Sequence, residues 1–116
     1  MSADLNGLAK DVSPHGTKTV VSLAGEVDLS NHLALRSHLN DLIVDGHVHL
    51  VLDLRGVTFM DSTGLGALIG TRRRVHAFAG SLAIVLTHEA IRRVFEVTGL
   101  DNVFDLHDTL EAALAA

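Results

Sequence analysis

The sequence has no cysteine, tryptophan or tyrosine, a single proline and only four phenylalanines. Without cysteine, the protein cannot form disulfides, thiolate metal sites or a cysteine nucleophile. So few aromatic side chains argue against a base-stacking platform for nucleic acid and against an aromatic cage for a cationic ligand. No apolar run reaches the ~18 residues of a transmembrane helix, and residues 1–10 lack the basic and apolar regions of a signal peptide. We therefore expect a cytoplasmic protein that makes no contact with a membrane.

The composition is that of one folded domain. The chain has 116 residues, 47% of them hydrophobic, which is enough apolar surface for one core but too little length for two domains. We therefore treat residues 1–116 as a single domain, and expect a monomer or a weak dimer. The 14 acidic and 9 basic residues give a net charge of −5, which disfavours binding to nucleic acid through its phosphates. Nothing in the sequence assigns a role to the eight histidines.

Strand-like apolar runs alternate with amphipathic helical segments, which predicts an α/β fold with a mainly parallel sheet. The predicted sheet has four or five strands, at residues 19–24, 48–54, 82–86 and 103–106, with an edge strand possible at 8–12. About four helices are predicted: one from Ser30 or Asn31 to Gly46, one from Ser62 to about Ala79, one over 89–98, and one after a capping box at Asp108. Residues 55–61 are interpreted as a connection, and residues 1–18 have no clear period.

The second predicted helix carries glycines on its outward face. At 100° per residue, the side facing the sheet is formed by Gly64, Leu68, Thr71, Val75, Phe78 and Ala79. The opposite side holds Gly66, Gly70, Arg73 and Ala77. Each helical glycine costs roughly 1 kcal/mol relative to alanine. Either the protein tolerates this loss, or another surface approaches the helix backbone closely.

Ser62 stands where this helix begins, in the stretch Asp61-Ser62-Thr63-Gly64. A serine at this position is suited to be the N-cap, with Asp61 as a second cap of the same turn. A capping hydroxyl in a connecting loop is also exposed. A phosphate on it would lie at the positive end of the helix dipole, so phosphorylation would change the surface without unfolding the domain. Both interpretations stay open on these residues alone.

Several segments follow one another in the order and spacing of a known family. They are residues 23–28 (LAGEVD), 52–54 (LDL), 57–66 (VTFMDSTGLG), 80–85 and 94–100. Together they resemble the STAS family, and most closely its stand-alone anti-sigma factor antagonists. The resemblance covers nearly the whole chain, and the DSTGLG stretch is specific in that context.

The resemblance implies an STAS-type fold and a binding protein with no catalytic role and no cofactor. It implies that the unphosphorylated chain binds an anti-sigma factor that is also a serine kinase, which frees a sigma factor. Phosphorylation of Ser62, or as second choice Thr63, would end this binding, and a serine/threonine phosphatase would restore it. The implied partner surface, which includes the outward helix face, consists of Gly25, Glu26, Asp28, Ser30, Asp61, Ser62, Thr63, Gly66, Gly70 and Arg73.

Other functions are weighed against this one. An STAS module without a phosphorylation switch, as in transport or stress-sensing complexes, shares the fold and stays an alternative. A dinucleotide site at residues 64–70 would have to follow a strand at once, whereas the predicted strand ends at Leu54. The sequence around Ser62 is not the Gly-x-Ser-x-Gly of a serine hydrolase. No third ligand accompanies His47 and His49 for a metal, and the arginines at 72–74 point in three directions on a helix.

Overall fold

The structure, a computed structural model, describes residues 2–116. Strands and helices alternate through most of this part of the chain. The strands are β1 (Ser2–Asp4), β2 (Leu8–His15), β3 (Lys18–Val27), β4 (His49–Met60), β5 (Ser81–Val85) and β6 (Asp105–His107). The helices are α1 (His32–Val44), α2 (Ser62–Ala77), α3 (Glu89–Val97) and α4 (Leu110–Ala115), with a 3-10 turn at Leu100–Asn102.

The strands form one sheet in the order in which they occur in the chain. The pairs β1–β2 and β2–β3 are antiparallel, and the pairs from β3 to β6 are parallel. The prediction of an α/β fold with a mixed, mainly parallel sheet and four helices is confirmed. The predicted count of four or five strands is corrected to six, because the three-residue β1 pairs with β2. So short a strand leaves no periodic signal in the sequence.

The sheet carries a thick helical layer on one face and a thin one on the other. Leucines of α1 and α2 pack with Phe95 of α3 on alternate residues of the central strands, which forms the main core. On the other face, Ala113 of α4 packs on Val20, Val51 and Val85. Side chains alternate across a strand, so an almost continuous apolar run in β4 supplies both layers.

Strand β4 is longer than the sequence predicts. Residues 55–60 were interpreted as part of a connection, but β4 continues to Met60 and remains paired with β3 through register shifts near Ala24 and Gly25. The exposed Arg55, Thr58 and Phe59 interrupt the apolar pattern. The main-chain pairing of β4 with β3 nevertheless continues to Met60. The extension leaves only Asp61 between β4 and α2.

The end of α2 also differs from the prediction. Phe78 was assigned to the sheet-facing side, but it follows the last helical residue and is 57% exposed. Ala79 adopts a left-handed conformation just after the helix, a position more often taken by glycine. Gly80 is needed because a side chain there would collide with the Val48 carbonyl.

Candidate partner-binding edge

Two chain segments meet where β3 and β4 end. These strands are parallel, Val27 is paired with Met60, and the Asp61 N–H donates to the Val27 carbonyl at 3.3 Å. The turn that follows β3 therefore lies beside the start of α2. We call residues 25–31 and 59–66 together the β3–β4 edge. It contains eight of the ten residues implied as a partner surface, and Gly70 and Arg73 lie farther along α2.

The turn after β3 is held by Asp28. The Asp28 carboxylate accepts hydrogen bonds from the Ser30 N–H at 2.9 Å and from the Ser30 hydroxyl at 2.6 Å. The Asn31 N–H closes the turn on the Asp28 carbonyl at 3.2 Å. Glu26, by contrast, is exposed beside Phe59, its partner in the sheet register. Asp28 and Ser30 thus shape the turn, whereas the Glu26 carboxylate faces solvent.

Asp61, and not Ser62, is the N-cap of α2. Its backbone is extended, and its carboxylate accepts hydrogen bonds from the Thr63 N–H at 3.0 Å and the Gly64 N–H at 3.2 Å. The Thr63 hydroxyl also donates to this carboxylate and is the main reason that the pKa of Asp61 is lowered from its ordinary value. Burial acts in the opposite direction, and the two N–H groups and the charge of His32 lower the pKa further.

Ser62 is the first residue of α2 and is exposed. The prediction that it caps the helix is wrong, because Asp61 already satisfies the N–H groups of the first turn. Within residues 2–116, no side-chain hydrogen bond engages the Ser62 hydroxyl, whereas the half-buried Thr63 donates its hydroxyl to Asp61. Of the two neighbouring hydroxyls, Ser62 is the one available for chemistry.

The two outward glycines of α2 differ in their surroundings. A Cβ on Gly66 would meet no described atom within 4 Å, so this position is open. A Cβ on Gly70 would lie 3.5 Å from the guanidinium of Arg36 on α1, so Gly70 is covered by that side chain and half-buried. The prediction of an open glycine face therefore holds for Gly66 and fails for Gly70. Arg73 is exposed.

The packing of α2 against the strand ends depends on Gly64, which was predicted to face the sheet. It is buried, and a Cβ there would lie 2.8 Å from both Met60 Cγ and Val27 Cγ1. Atoms this close have no room for another carbon. The absence of a side chain at Gly64 therefore lets the start of α2, with Ser62, approach the end of β3.

Sequence reasoning missed three exposed apolar residues at or next to this edge. Leu29 is 73% exposed in the turn, Leu33 is 67% exposed in the first turn of α1, and Phe59 is 45% exposed near the end of β4. The exposure of Leu29 could have been predicted from the sequence, because Leu29 stands between the polar turn residues Asp28 and Ser30. Leu29 and Phe59 belong to the two segments of the β3–β4 edge, which therefore exposes apolar area that a protein partner could cover.

Replacing Asp61 tests the capping role. We expect Asp61→Ala to lower the free energy of unfolding by about 1 kcal/mol at neutral pH, and Asp61→Asn, also a good cap, to cost only a few tenths. Because folding lowers the pKa of Asp61, its contribution is complete above about pH 4 and is lost as the pH falls through the folded-state value. Urea unfolding at neutral pH and at about pH 3 should show the alanine deficit shrinking in acid. A deficit of the same size at both pH values would contradict this assignment.

The remaining motifs form no second site in the described part of the chain. His47 Nδ1 lies 3.0 Å from the Thr19 hydroxyl on β3, whereas His49 Nδ1 lies 2.9 Å from the Ser81 hydroxyl on β5. The two imidazoles thus bond to different neighbouring strands, and residues 2–116 hold no cluster of three or more groups able to bind a metal. No helix in this range is long and apolar enough to cross a membrane.

Several known proteins resemble this chain in sequence and fold. The STAS domain model matches residues 9–113. The anti-sigma-B factor antagonist of Bacillus subtilis (strain 168) is 36% identical over 96 residues, which cover 83% of this chain and 87% of that protein. The crystal structure of an anti-sigma factor antagonist from Mycobacterium paratuberculosis has a TM-score of 0.86 and 34% identity, covering 99% of this chain and 97% of that one. The phosphorylated form of the Bacillus cell fate determinant SpoIIAA has a TM-score of 0.70 and 25% identity, covering 91% and 96%.

Proposed function

We propose that this chain, which belongs to the STAS domain family, binds an anti-sigma factor and thereby frees a sigma factor to act with RNA polymerase. Its relatives are antagonists of anti-sigma factors, so the chain is a regulatory binding protein and not an enzyme. Such a role places it in the cytoplasm with the polymerase. It needs no cofactor and no contact with nucleic acid.

The observation that supports a regulatory switch is the exposure of the Ser62 hydroxyl. Its hydroxyl is exposed, engages none of the described residues and sits on the first turn of α2. We propose that the anti-sigma factor is a serine kinase that phosphorylates Ser62, and that a serine/threonine phosphatase removes the phosphate. Thr63 is a poorer site for phosphorylation because its hydroxyl already donates a hydrogen bond to Asp61.

The proposed contact surface is the β3–β4 edge, continued along α2 by Gly66 and Arg73. Leu29 and Phe59 supply apolar area, and the exposed Glu26 supplies negative charge. An interface of this kind has an apolar centre and a charged rim. A phosphate introduced at Ser62 would stand inside that surface, next to the carboxylate of Asp61.

Gly66 provides a test that separates binding from stability. We expect Gly66→Ala and Gly66→Gln each to raise the free energy of unfolding by up to about 1 kcal/mol, because both residues form helices better than glycine and the position is open. If the partner approaches the helix backbone, Gly66→Gln should weaken its binding about tenfold or more, and Gly66→Ala much less. Urea unfolding and titration calorimetry measure the two effects. Normal binding by the glutamine variant would show that the open position is not part of the interface.

Phosphorylation itself can be mapped directly. The purified chain is incubated with ATP and a lysate fraction of the native cells, and the modified residue is located by mass spectrometry. Phosphate on Ser62 in the wild type, with none on Thr63 in Ser62→Ala, supports the proposal. Phosphate on Thr63, or an unmodified wild-type chain under conditions in which a control substrate is phosphorylated, would contradict it.

A further inference from the structure

We propose that Asn31 is a positioning residue for the partner surface, and that it makes the turn at residues 5–7 part of the same rigid unit as the turn at 28–31. The identity of the partner rests on the proposed function. The coupling of the two turns is a property of this chain alone and can be tested without any partner.

The side chain of Asn31 is only 1% exposed, although it lies at a chain turn next to the solvent. Its amide nitrogen donates to the Glu26 carbonyl at 2.8 Å and to the Asn6 carbonyl at 3.1 Å. Its amide oxygen accepts a hydrogen bond from the Asp28 N–H at 3.0 Å. One buried amide thus joins the end of β3, the turn that follows it and the turn between β1 and β2.

This use of the side chain differs from ordinary helix capping. Asn31 occupies the N-cap position of α1, where asparagine commonly accepts a hydrogen bond from the first turn. In this structure its side chain makes no such bond to α1. The amide nitrogen and the amide oxygen both bond to backbone groups outside the helix. Helix α1 therefore has no side-chain N-cap, and the segments before it are joined through the Asn31 side chain.

Two further contacts join the same turns. The Asn6 amide donates to the Ser30 carbonyl at 3.4 Å, and the Glu26 N–H donates to the Gly7 carbonyl at 3.5 Å. Both bonds are long and therefore weak, so the Asn31 amide makes the shortest hydrogen bond between the two turns, beside the Leu8–Gly25 pair that ends the β2–β3 ladder. Since Glu26 and Ser30 belong to the β3–β4 edge, a movement of the 5–7 turn reaches the proposed contact surface through these bonds.

The test compares Asn31→Ala and the milder Asn31→Ser with a control that removes a buried hydrogen bond elsewhere. Thr19→Ala is that control, because Thr19 is buried near the start of β3, at the end of the strand opposite to the β3–β4 edge, and its hydroxyl bonds to His47. Amide hydrogen exchange is measured on each chain alone. Asn31→Ala removes three hydrogen bonds, which should speed exchange at least about tenfold at residues 5–8 and 26–31 together. Thr19→Ala should leave exchange in both segments unchanged. The serine variant gives the same readout if the alanine variant does not fold.

A second measurement uses the anti-sigma factor captured by the wild-type chain and then purified. Its affinity should fall about tenfold for the Asn31 variants and stay unchanged for Thr19→Ala. Faster exchange confined to 26–31, or spread evenly over the chain, would overturn the proposed coupling of the two turns. Unchanged affinity would overturn the role of Asn31 in positioning the partner surface. If the wild type captures no anti-sigma factor, the proposed function fails, while the exchange result still decides the inference.

Discussion

Replacing Ser62 with aspartate is expected to weaken binding to the anti-sigma factor at least about a hundredfold while leaving the domain folded. A micromolar complex corresponds to about −8 kcal/mol, and a hundredfold loss to about 2.8 kcal/mol. Burying an unpaired negative charge in an interface shaped for a neutral hydroxyl costs at least this much. Asp61 beside it and the exposed Glu26 make the surroundings more negative. A negative charge on the first turn of α2 is favourable for the helix itself, so the effect falls on binding.

Two neutral variants separate charge from size. Ser62→Asn has the shape of aspartate without its charge, and Ser62→Ala removes the hydroxyl. We expect both to bind within a few-fold of the wild type in titration calorimetry, and all three variants to unfold at similar urea concentrations. If Ser62→Asn binds as poorly as Ser62→Asp, bulk and not charge is responsible. If Ser62→Asp binds as well as the wild type, a charge at this position does not switch the interaction.

The largest effect on stability is expected at Gly25. Its φ of +119° is one that other residues rarely adopt, and a Cβ there would collide with the Gly7 carbonyl. Backbone strain and overpacking each cost about 1–3 kcal/mol. We therefore expect Gly25→Ala to lower the free energy of unfolding by about 3 kcal/mol or more, in line with the close approach of the 5–7 turn to the end of β3.

Gly46→Ala is the control for this prediction. Gly46 has a similar φ of +98°, but a Cβ there would meet no described atom within 4 Å. Gly46→Ala should therefore lose only the cost of backbone strain, about 1–3 kcal/mol of unfolding free energy. Urea unfolding of the two variants measures how much more Gly25→Ala loses. Equal losses for the two alanine variants would mean that the contact between Gly25 and the 5–7 turn contributes nothing.

The sequence predicts much of the architecture because apolar spacing marks the helices and the buried parts of β3, β4 and β5. The buried leucines of α1 and the apolar run of β4 are placed as their spacing indicates. The prediction fails where main-chain bonding continues without an apolar pattern, as at residues 55–60 of β4. It also fails for β1, which is too short to show a period.

The residues of the candidate site were predicted from the sequence motif around Ser62, whereas their contacts were not predicted. Ser62 and the 25–31 segment are brought together because parallel strands end at one edge. The sequence could not show that Asp61 takes the cap and leaves the Ser62 hydroxyl unengaged, because either residue can cap a helix. Ser30 and Asn31 were likewise both predicted as possible starts of α1, and Asn31 takes the N-cap position without a side-chain capping bond. Its real partners are backbone groups as far as 25 residues away, which no local pattern reveals.

The proposed function of this chain is to bind an anti-sigma factor, with charge at Ser62 ending the binding. It is tested most directly by capture from a lysate of the native cells on three baits, the wild type, Ser62→Ala and Ser62→Asp, with the bound proteins identified by mass spectrometry. We expect a kinase-type anti-sigma factor to be retained by the wild type and Ser62→Ala and to be missing from Ser62→Asp. Equal retention by all three baits would refute the switch and leave Ser62 as an ordinary exposed residue at the start of a helix.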